Sequence, residues 1–236
     1  TEKSLLAVQT LIPRVDAATN GASFTPGISP GSLATLFGVS LSAGGTESAA
    51  EQPLPIELAG TSVTVNGVRS SLLYASDLQI NFVTPPYLSG DTATVTVESS
   101  DGKSAALSVP LLANDPAIFF DSGTNLGAVL RSGAAEKTDR VPALPGAFVE
   151  IFATGLGKLL PGGRGEPPVA EKPVTATLNG QPIPVVYAGS APGFAGLYQV
   201  NAKIPETTAA GTHVLRIQQE GKESNAVNVI VGVPQP

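Results

Sequence analysis

The chain has 236 residues with 13 Lys+Arg against 19 Asp+Glu (net −6), 42% hydrophobic and 14% charged residues, Gly 26, Pro 21, and no Cys, Met or Trp. That is a length for one large β domain or two ordinary ones, and Gly plus Pro, about a fifth of the chain, stays below the quarter or more that marks low-complexity disorder. The low charge excludes disorder driven by charge repulsion, the acidic balance without a basic run excludes a nucleic-acid binder, and the lack of Cys excludes disulfides, thiolate metal sites and a Cys nucleophile.

In chain order, Glu2–Leu11 carries a weak helical period, and residues 1–14 read as an N-terminal extension. Ser4–Val8 is too short, and too acidic at its front (Glu2), to be read as a signal peptide, and a chain that starts at Thr1 without any Met is expected to be a processed product or an excised fragment, with room for a native signal upstream. No apolar stretch approaches the ~20 residues that span a bilayer, and no membrane insertion of this fragment is expected. Pro30-Gly31 opens a run with Leu33, Leu36 and Phe37 that suits a strand after a turn. Thr61–Val65 alternates and ends in Asn66-Gly67, a strong hairpin signal because both residues tolerate φ > 0. Thr92–Glu98 alternates, Asp101-Gly102 turns, and Ala105–Val109 returns. Later, His213–Ile217, Glu220-Gly221 and Ala226–Val231 repeat that series.

These later segments belong to a second copy of one domain. Pro30-Gly31-Ser32-Leu33-Ala34-Thr35-Leu36-Phe37 recurs as Pro145-Gly146-Ala147-Phe148-Val149-Glu150-Ile151-Phe152. Val63–Gly67 recurs as Ala176–Gly180, Leu73-Tyr74-Ala75 as Val186-Tyr187-Ala188, Leu78–Asn81 as Tyr198–Asn201, Pro85 as Pro205, and Asp101-Gly102-Lys103 as Glu220-Gly221-Lys222. The matches are collinear, roughly 113–121 residues apart, which is the mark of a tandem repeat. The expected domains are 15–114 and 115–236, with the seam near Asn114-Asp115-Pro116. Short strands with turns every 8–12 residues, about seven per ~100 residues, predict an all-β chain of two tandem immunoglobulin-like β-sandwiches. The Cys and Trp that mark the core of antibody domains are absent.

Each copy resembles the IPT/TIG type of immunoglobulin-like domain in its Pro-Gly before an early strand that ends in a Gly-x-x-Leu-like turn (Gly38 to Leu41; Thr154-Gly155-Leu156). A more specific set comprises Asn20–Phe24, Pro30–Ser32, Leu73–Ser76, Gln79–Phe82, Ala153–Gly157, Tyr187–Gly189 and Ala191–Asn201. Together, over roughly residues 15–232, these resemble the C-terminal domain of secreted acidobacterial (Solibacter-type) proteins. The resemblance implies a C-terminal module on exported proteins with varied domains upstream. It implies no catalytic residue, cofactor or metal.

Candidate chemistry is sparse. Gly27-Ile28-Ser29-Pro30-Gly31 fits Gly-x-Ser-x-Gly, but a nucleophile elbow needs a following helix and a His. A strand is expected there, and the only His, His213, falls in an alternating strand. A single His without Cys is a poor basis for zinc. Asp115, Asp121 and Asn125 are the best oxygen ligands for calcium at the seam, yet they lack a calcium-loop spacing and read better as a solvated linker turn. Aromatic platforms for sugars are few, because Tyr74, Tyr187 and Tyr198 occupy repeated strand positions expected in the core.

Two loop features remain. Copy two inserts about seven residues between Tyr187-Ala188 and Tyr198-Gln199, in which Pro192, Gly193, Phe194 and Leu197 form a candidate interaction or inter-domain loop. Phe194, flanked by small residues, is expected to be largely buried against copy one or near Phe119 and Phe120. The polar Gly44–Pro53 and Pro161–Pro168 loops are expected at one end of each sandwich, where binding loops cluster. The reading is a non-catalytic structural or interaction module, secreted or at the cell surface, meeting a protein or polysaccharide there. An accessory carbohydrate-binding module of a secreted hydrolase is the alternative, and a hydrolase using Ser29 and His213 is a third reading.

Overall fold

A computed structural model describes residues 12–233; the weak helical period at Glu2–Leu11 lies outside them. Among the described residues there is no helix, and every strand pairing is antiparallel. The first ten strands are β1 (Arg14–Asn20), β2 (Leu33–Val39), β3 (Glu47–Ser48), β4 (Thr61–Val65), β5 (Val68–Arg69), β6 (Ser71–Ala75), β7 (Gln79–Val83), β8 (Thr92–Ser99), β9 (Gly102–Lys103) and β10 (Leu107–Pro110). They form two sheets, ordered β1-β2-β7-β6-β3 and β10-β8-β4-β5, with β9 beside β8.

The remaining strands are β11 (Ala117–Ile118), β12 (Val129–Arg131), β13 (Phe148–Thr154), β14 (Leu159–Leu160), β15 (Val169–Ala170), β16 (Val174–Leu178), β17 (Gln181–Ile183), β18 (Val185–Ser190), β19 (Tyr198–Lys203), β20 (Gly211–Gln219), β21 (Lys222–Glu223) and β22 (Val227–Val231). They repeat the pattern as β11-β13-β19-β18-β15-β14, with β12 on β13, and β17-β16-β20-β21, with β22 on β20. The chain is therefore two immunoglobulin-like β-sandwiches in tandem.

Alternation drives the stacking. In β8, Ala93, Val95 and Val97 face inward between outward Thr and Glu, and in β19 Tyr198, Val200 and Ala202 face inward between Gln199, Asn201 and Lys203. Each sandwich has its own core: Leu36, Val63, Leu72, Ile80 and Phe82 in the first, and Ile118, Val149, Ile151, Ile204, Leu215 and Ile217 in the second. Each such fully buried side chain contributes about 1.5–3 kcal/mol relative to exposure.

The two Asn-Gly hairpins fall where the alternation ends. Asn66 and Gly67 (φ +49° and +80°) join β4 to β5, and Asn179 and Gly180 (φ +50° and +77°) join β16 to β17, in the type I′ geometry that matches strand twist. Each Asn also accepts an amide from the neighbouring strand: Thr94 N–H at 2.7 Å and Val214 N–H at 2.8 Å. The register of the repeat holds at β6–β7 and β18–β19. Tyr74 pairs with Asn81 and Tyr187 with Asn201, each just after a bulge.

The β8–β9 turn differs from the sequence alignment by one residue. Ser99 pairs with Gly102, whereas Gln219 pairs with Lys222, so the turn residues are Ser100-Asp101 in one copy and Glu220-Gly221 in the other. The register is set by a buried serine in each copy: Ser104 accepts the Val97 amide and Ser224 the Ile217 amide, both at 3.0 Å.

Candidate functional site

The seam between the sandwiches is built around buried Asn20, Asn114, Thr154 and Tyr198, whose side-chain partners are half-buried or exposed. Thr154, fully buried at the end of β13, accepts the Leu33 amide of β2 through Oγ1 at 2.8 Å. Tyr198 is 1% exposed; its hydroxyl donates to Gly157 O at 2.6 Å with Gly31 O of the first sandwich 3.4 Å away, and burial pushes it up to about 12. Asn20 Nδ2 donates to the main-chain oxygen of Asp115 at 2.7 Å, and the Asp115 carboxylate accepts Asn20 Nδ2 and Thr25 Oγ1. On the other side of the linker, Asn114 Nδ2 donates to Glu220 and Lys222 Nζ to Asn114 O. Glycine is required at 155, where φ is +79° and a Cβ would overlap Asp115 O.

The inserted loop contributes to this seam, but not through Phe194. Phe194 is 61% exposed, which corrects the expectation that it is buried. The physical reason lies in the turn. Ala191 N–H donates to Leu197 O and Phe194 N–H to Ala191 O, so the loop closes on itself and lifts Pro192, Gly193 and Phe194 into solvent. Its root makes the contact instead: a Cβ at Gly196 (φ +74°) would stand 3.0 Å from Val83 and 3.2 Å from Leu33 of the first sandwich. Leu197 is half-buried behind it.

A groove of about 520 Å³ lies on the outer face of the second sandwich, lined by Glu166, Pro167, Val169, Val186, Tyr187, Pro192, Gln199 and Asn201. Tyr187 is half-buried there and not in the core, and Tyr74 likewise, because the bulge before each turns the tyrosine outward. Only Tyr198 of the three is a core residue. The Tyr187 hydroxyl donates to Ser190 O at 2.8 Å with Pro168 O at 3.2 Å, and burial raises its pKa above the ordinary tyrosine value. A Cβ at Gly189 would overlap Pro168 O and stand 2.6 Å from that hydroxyl, so the ring end packs where glycine leaves room. Gln199 Nε2 donates to Asn201 Oδ1 at 2.9 Å, as Gln79 Nε2 does to Asn81 Oδ1 at 2.8 Å in the first copy. The outward Gln-x-Asn pair was the sequence signal for this polar floor.

The Pro161–Pro168 loop forms one wall of the groove: Glu166 Oε2 accepts the Gly163 amide, and Pro168 O accepts the Ser190 amide. Its counterpart in the first copy is tied down differently. There Glu47 of β3 accepts the Ala59 amide at 2.8 Å.

Ser29 and His213 are not brought together. Ser29 is buried in the first sandwich and is followed by a turn and then β2, whereas both ring nitrogens of His213 are engaged in the second, with Asn179 Nδ2 and Ala209 O, each at 2.8 Å. The calcium candidates also separate. Asp115 serves the seam, Asp121 closes its own turn by accepting from Gly123 and Thr124, and Asn125 donates to Ala226 O. Hydrogen bonds from Thr124 hold the Asp121 carboxyl below its ordinary pKa.

The chain matches no family model and no curated protein sequence. Among solved structures it is similar to the SGBP-B protein of a Bacteroides ovatus mixed-linkage glucan utilization locus, in complex with a mixed-linkage heptasaccharide (14% identity, 99% of this chain and 46% of that one, TM-score 0.36). It is also similar to the SGBP-B of a Bacteroides uniformis xyloglucan utilization locus (14%, 93% and 49%, TM-score 0.29) and to domains 5–6 of the S-layer protein SbsC (15%, 94% and 100%, TM-score 0.27). The chain spans about half the length of the two SGBP-B proteins. At these identities and TM-scores, none of the similarities extends to a ligand or an activity of this chain.

Proposed function

We propose that this chain is a non-catalytic, exported structural and interaction module whose two immunoglobulin-like sandwiches act as one stiff unit. The observation that carries the reading is the seam: buried Asn20 and Thr154 bond across it to Asp115 and Leu33, and buried Tyr198 bonds Gly157 O with Gly31 O of the other sandwich 3.4 Å away. A flexible string of domains would leave such groups to water, because burying a polar group is favourable only when it is hydrogen-bonded. The resemblance to C-terminal modules of secreted acidobacterial proteins supports a place outside the cell, on a longer polypeptide. Small-angle scattering of the whole chain tests the stiff unit. One conformer should reproduce the profile; a broad spread of inter-domain distances would overturn it.

A further inference from the structure

The outer face of the second sandwich carries a feature that stiffness does not need. Both copies place a tyrosine opposite an asparagine and a glutamine two residues before that asparagine, all on the outward face. In the first copy the turn beside this face is short, with Ser76 N–H donating to Gln79 O and Ser76 Oγ accepting the Gln79 amide. In the second copy the insertion raises Pro192 on one side and the Pro161–Pro168 loop raises Glu166 and Pro167 on the other. The two floors also differ in what remains free. Asn81 Oδ1 receives both Gln79 Nε2 and Thr35 Oγ1, while the residue in the position of Thr35 is Glu150, whose carboxylate accepts Ser132 Oγ instead.

We propose that the groove between Pro192 and Glu166, floored by Tyr187, Gln199 and Asn201, binds a neutral saccharide chain. The inference rests on reading the chain as an interaction module and names its partner. A sugar ring presents a C–H face that packs on an aromatic ring and hydroxyls that both donate and accept. The Tyr187 ring supplies the first surface, and it is held in place beforehand because its hydroxyl bonds to Ser190 O and lies over Gly189. The two side-chain amides supply the second, since each carries donors and an acceptor and their mutual bond uses only Gln199 Nε2 and Asn201 Oδ1. Among the described residues Glu166 is the only charged one in the lining, so a phosphate, a nucleic acid or an acidic polysaccharide meets a carboxylate and no cation there. The volume of about 520 Å³ is that of an ordinary small-molecule cleft.

Electrophoresis of the whole chain through native gels containing hydroxyethylcellulose, xylan or galactomannan tests the assignment, with carboxymethylcellulose as the anionic counterpart. At least one neutral polysaccharide should retard the chain more than the anionic one does. Tyr187→Ala and the pair Gln199→Ala with Asn201→Ala should weaken retardation tenfold or more. Tyr187→Phe, which keeps the ring but loses the bond that positions it, should weaken retardation less than Tyr187→Ala, and Gln79→Ala with Asn81→Ala on the first copy should match the parent. Circular dichroism melting identifies a variant that merely fails to fold, and the Gln199/Asn201 pair, outward on β19, is the variant that keeps its fold. No retardation by any of these neutral polymers overturns the proposal, as does retardation that survives the Gln199/Asn201 substitutions. Capture of an extended peptide by the same face without polysaccharide overturns it too. A chain that scatters as one stiff unit but is not retarded loses only the groove assignment, whereas release of reducing ends from a retained polysaccharide would sink the non-catalytic reading and leave the groove standing.

Discussion

Thr154 Oγ1 accepts the backbone N–H of Leu33 at 2.8 Å across the seam, although the two residues lie on different sandwiches. The same oxygen lies 3.4 Å from Leu33 O and 3.5 Å from Gly196 O, so one hydroxyl meets β2, β13 and the root of the inserted loop. Thr154→Val keeps the shape and leaves the Leu33 amide without its partner, which should cost about 1–3 kcal/mol in denaturant unfolding. Thr154→Ser should lose less. Equal losses for Val and Ser would show that the hydroxyl is not what matters.

Gly155→Ala meets two obstacles, the positive φ and the overlap with Asp115 O. The left-handed conformation alone costs an L-residue about 1–2 kcal/mol, and relief of the overlap must move the linker. The variant should melt lower and scatter with a changed inter-domain distance. A parent-like scattering profile would mean that the linker yields without disturbing the seam.

Tyr198 makes stability fall at high pH. Its hydroxyl titrates at about 12 when folded against 10.0 ordinarily, so above pH 10 the unfolded chain binds fewer protons than the folded one. The stabilising contribution is complete below pH 10 and is lost as pH rises through 12, to a total of about 3 kcal/mol. Tyr198→Phe should be less stable at neutral pH, having lost the bond to Gly157, and should decline less steeply between pH 10 and 12. Parallel decline of the two proteins would remove Tyr198 as the cause.

Phe194→Ser should leave melting and scattering unchanged to within about 0.5 kcal/mol, the usual range for surface substitutions away from special features. Gly196→Val at the loop root should lower the melting temperature, because its Cβ would press on Val83 and Leu33 and its φ is positive. The reverse order of effects would restore Phe194 as the packing residue.

Asn179→Ala removes both the residue suited to φ +50° and the acceptor for Val214 N–H, and Asn66→Ala does the same for Thr94 N–H. Each should cost about 1–2 kcal/mol, mostly for the left-handed strain, because both amides are exposed and water can replace the lost acceptor. Asn179→Gly separates the two, since glycine tolerates the backbone angle but offers no acceptor. A glycine variant as stable as the parent would show that the side-chain bond adds nothing.

Local signals made the fold legible. Period-two alternation in Thr92–Val97 and Ala226–Val231, the Asn66-Gly67 and Asn179-Gly180 turns, and the collinear repeat all act over a few residues, and each has its cause in backbone sterics or in one buried face. The same short range is why two features differ in the structure. The alignment of Asp101-Gly102 with Glu220-Gly221 matched residue types, whereas the register is held by Ser104 and Ser224 bonding across the hairpin. Tyr74 and Tyr187 looked like core by position, but a bulge just before each reverses which way the side chain points.

By itself, the sequence determined two sandwiches, their strands and hairpins, and a second copy made distinct by its insertion, because apolar periodicity and turn chemistry are properties of neighbours along the chain. Only the tertiary structure decided that Thr154, Tyr198, Asn20 and Asp115 form a seam, that Gly196 and not Phe194 meets the first sandwich, and that Pro192 and Glu166 wall the face holding Tyr187, Gln199 and Asn201. Those partners are far apart in sequence, up to 167 residues for Gly31 and Tyr198, and a hydrogen bond reads only the distance between atoms in space.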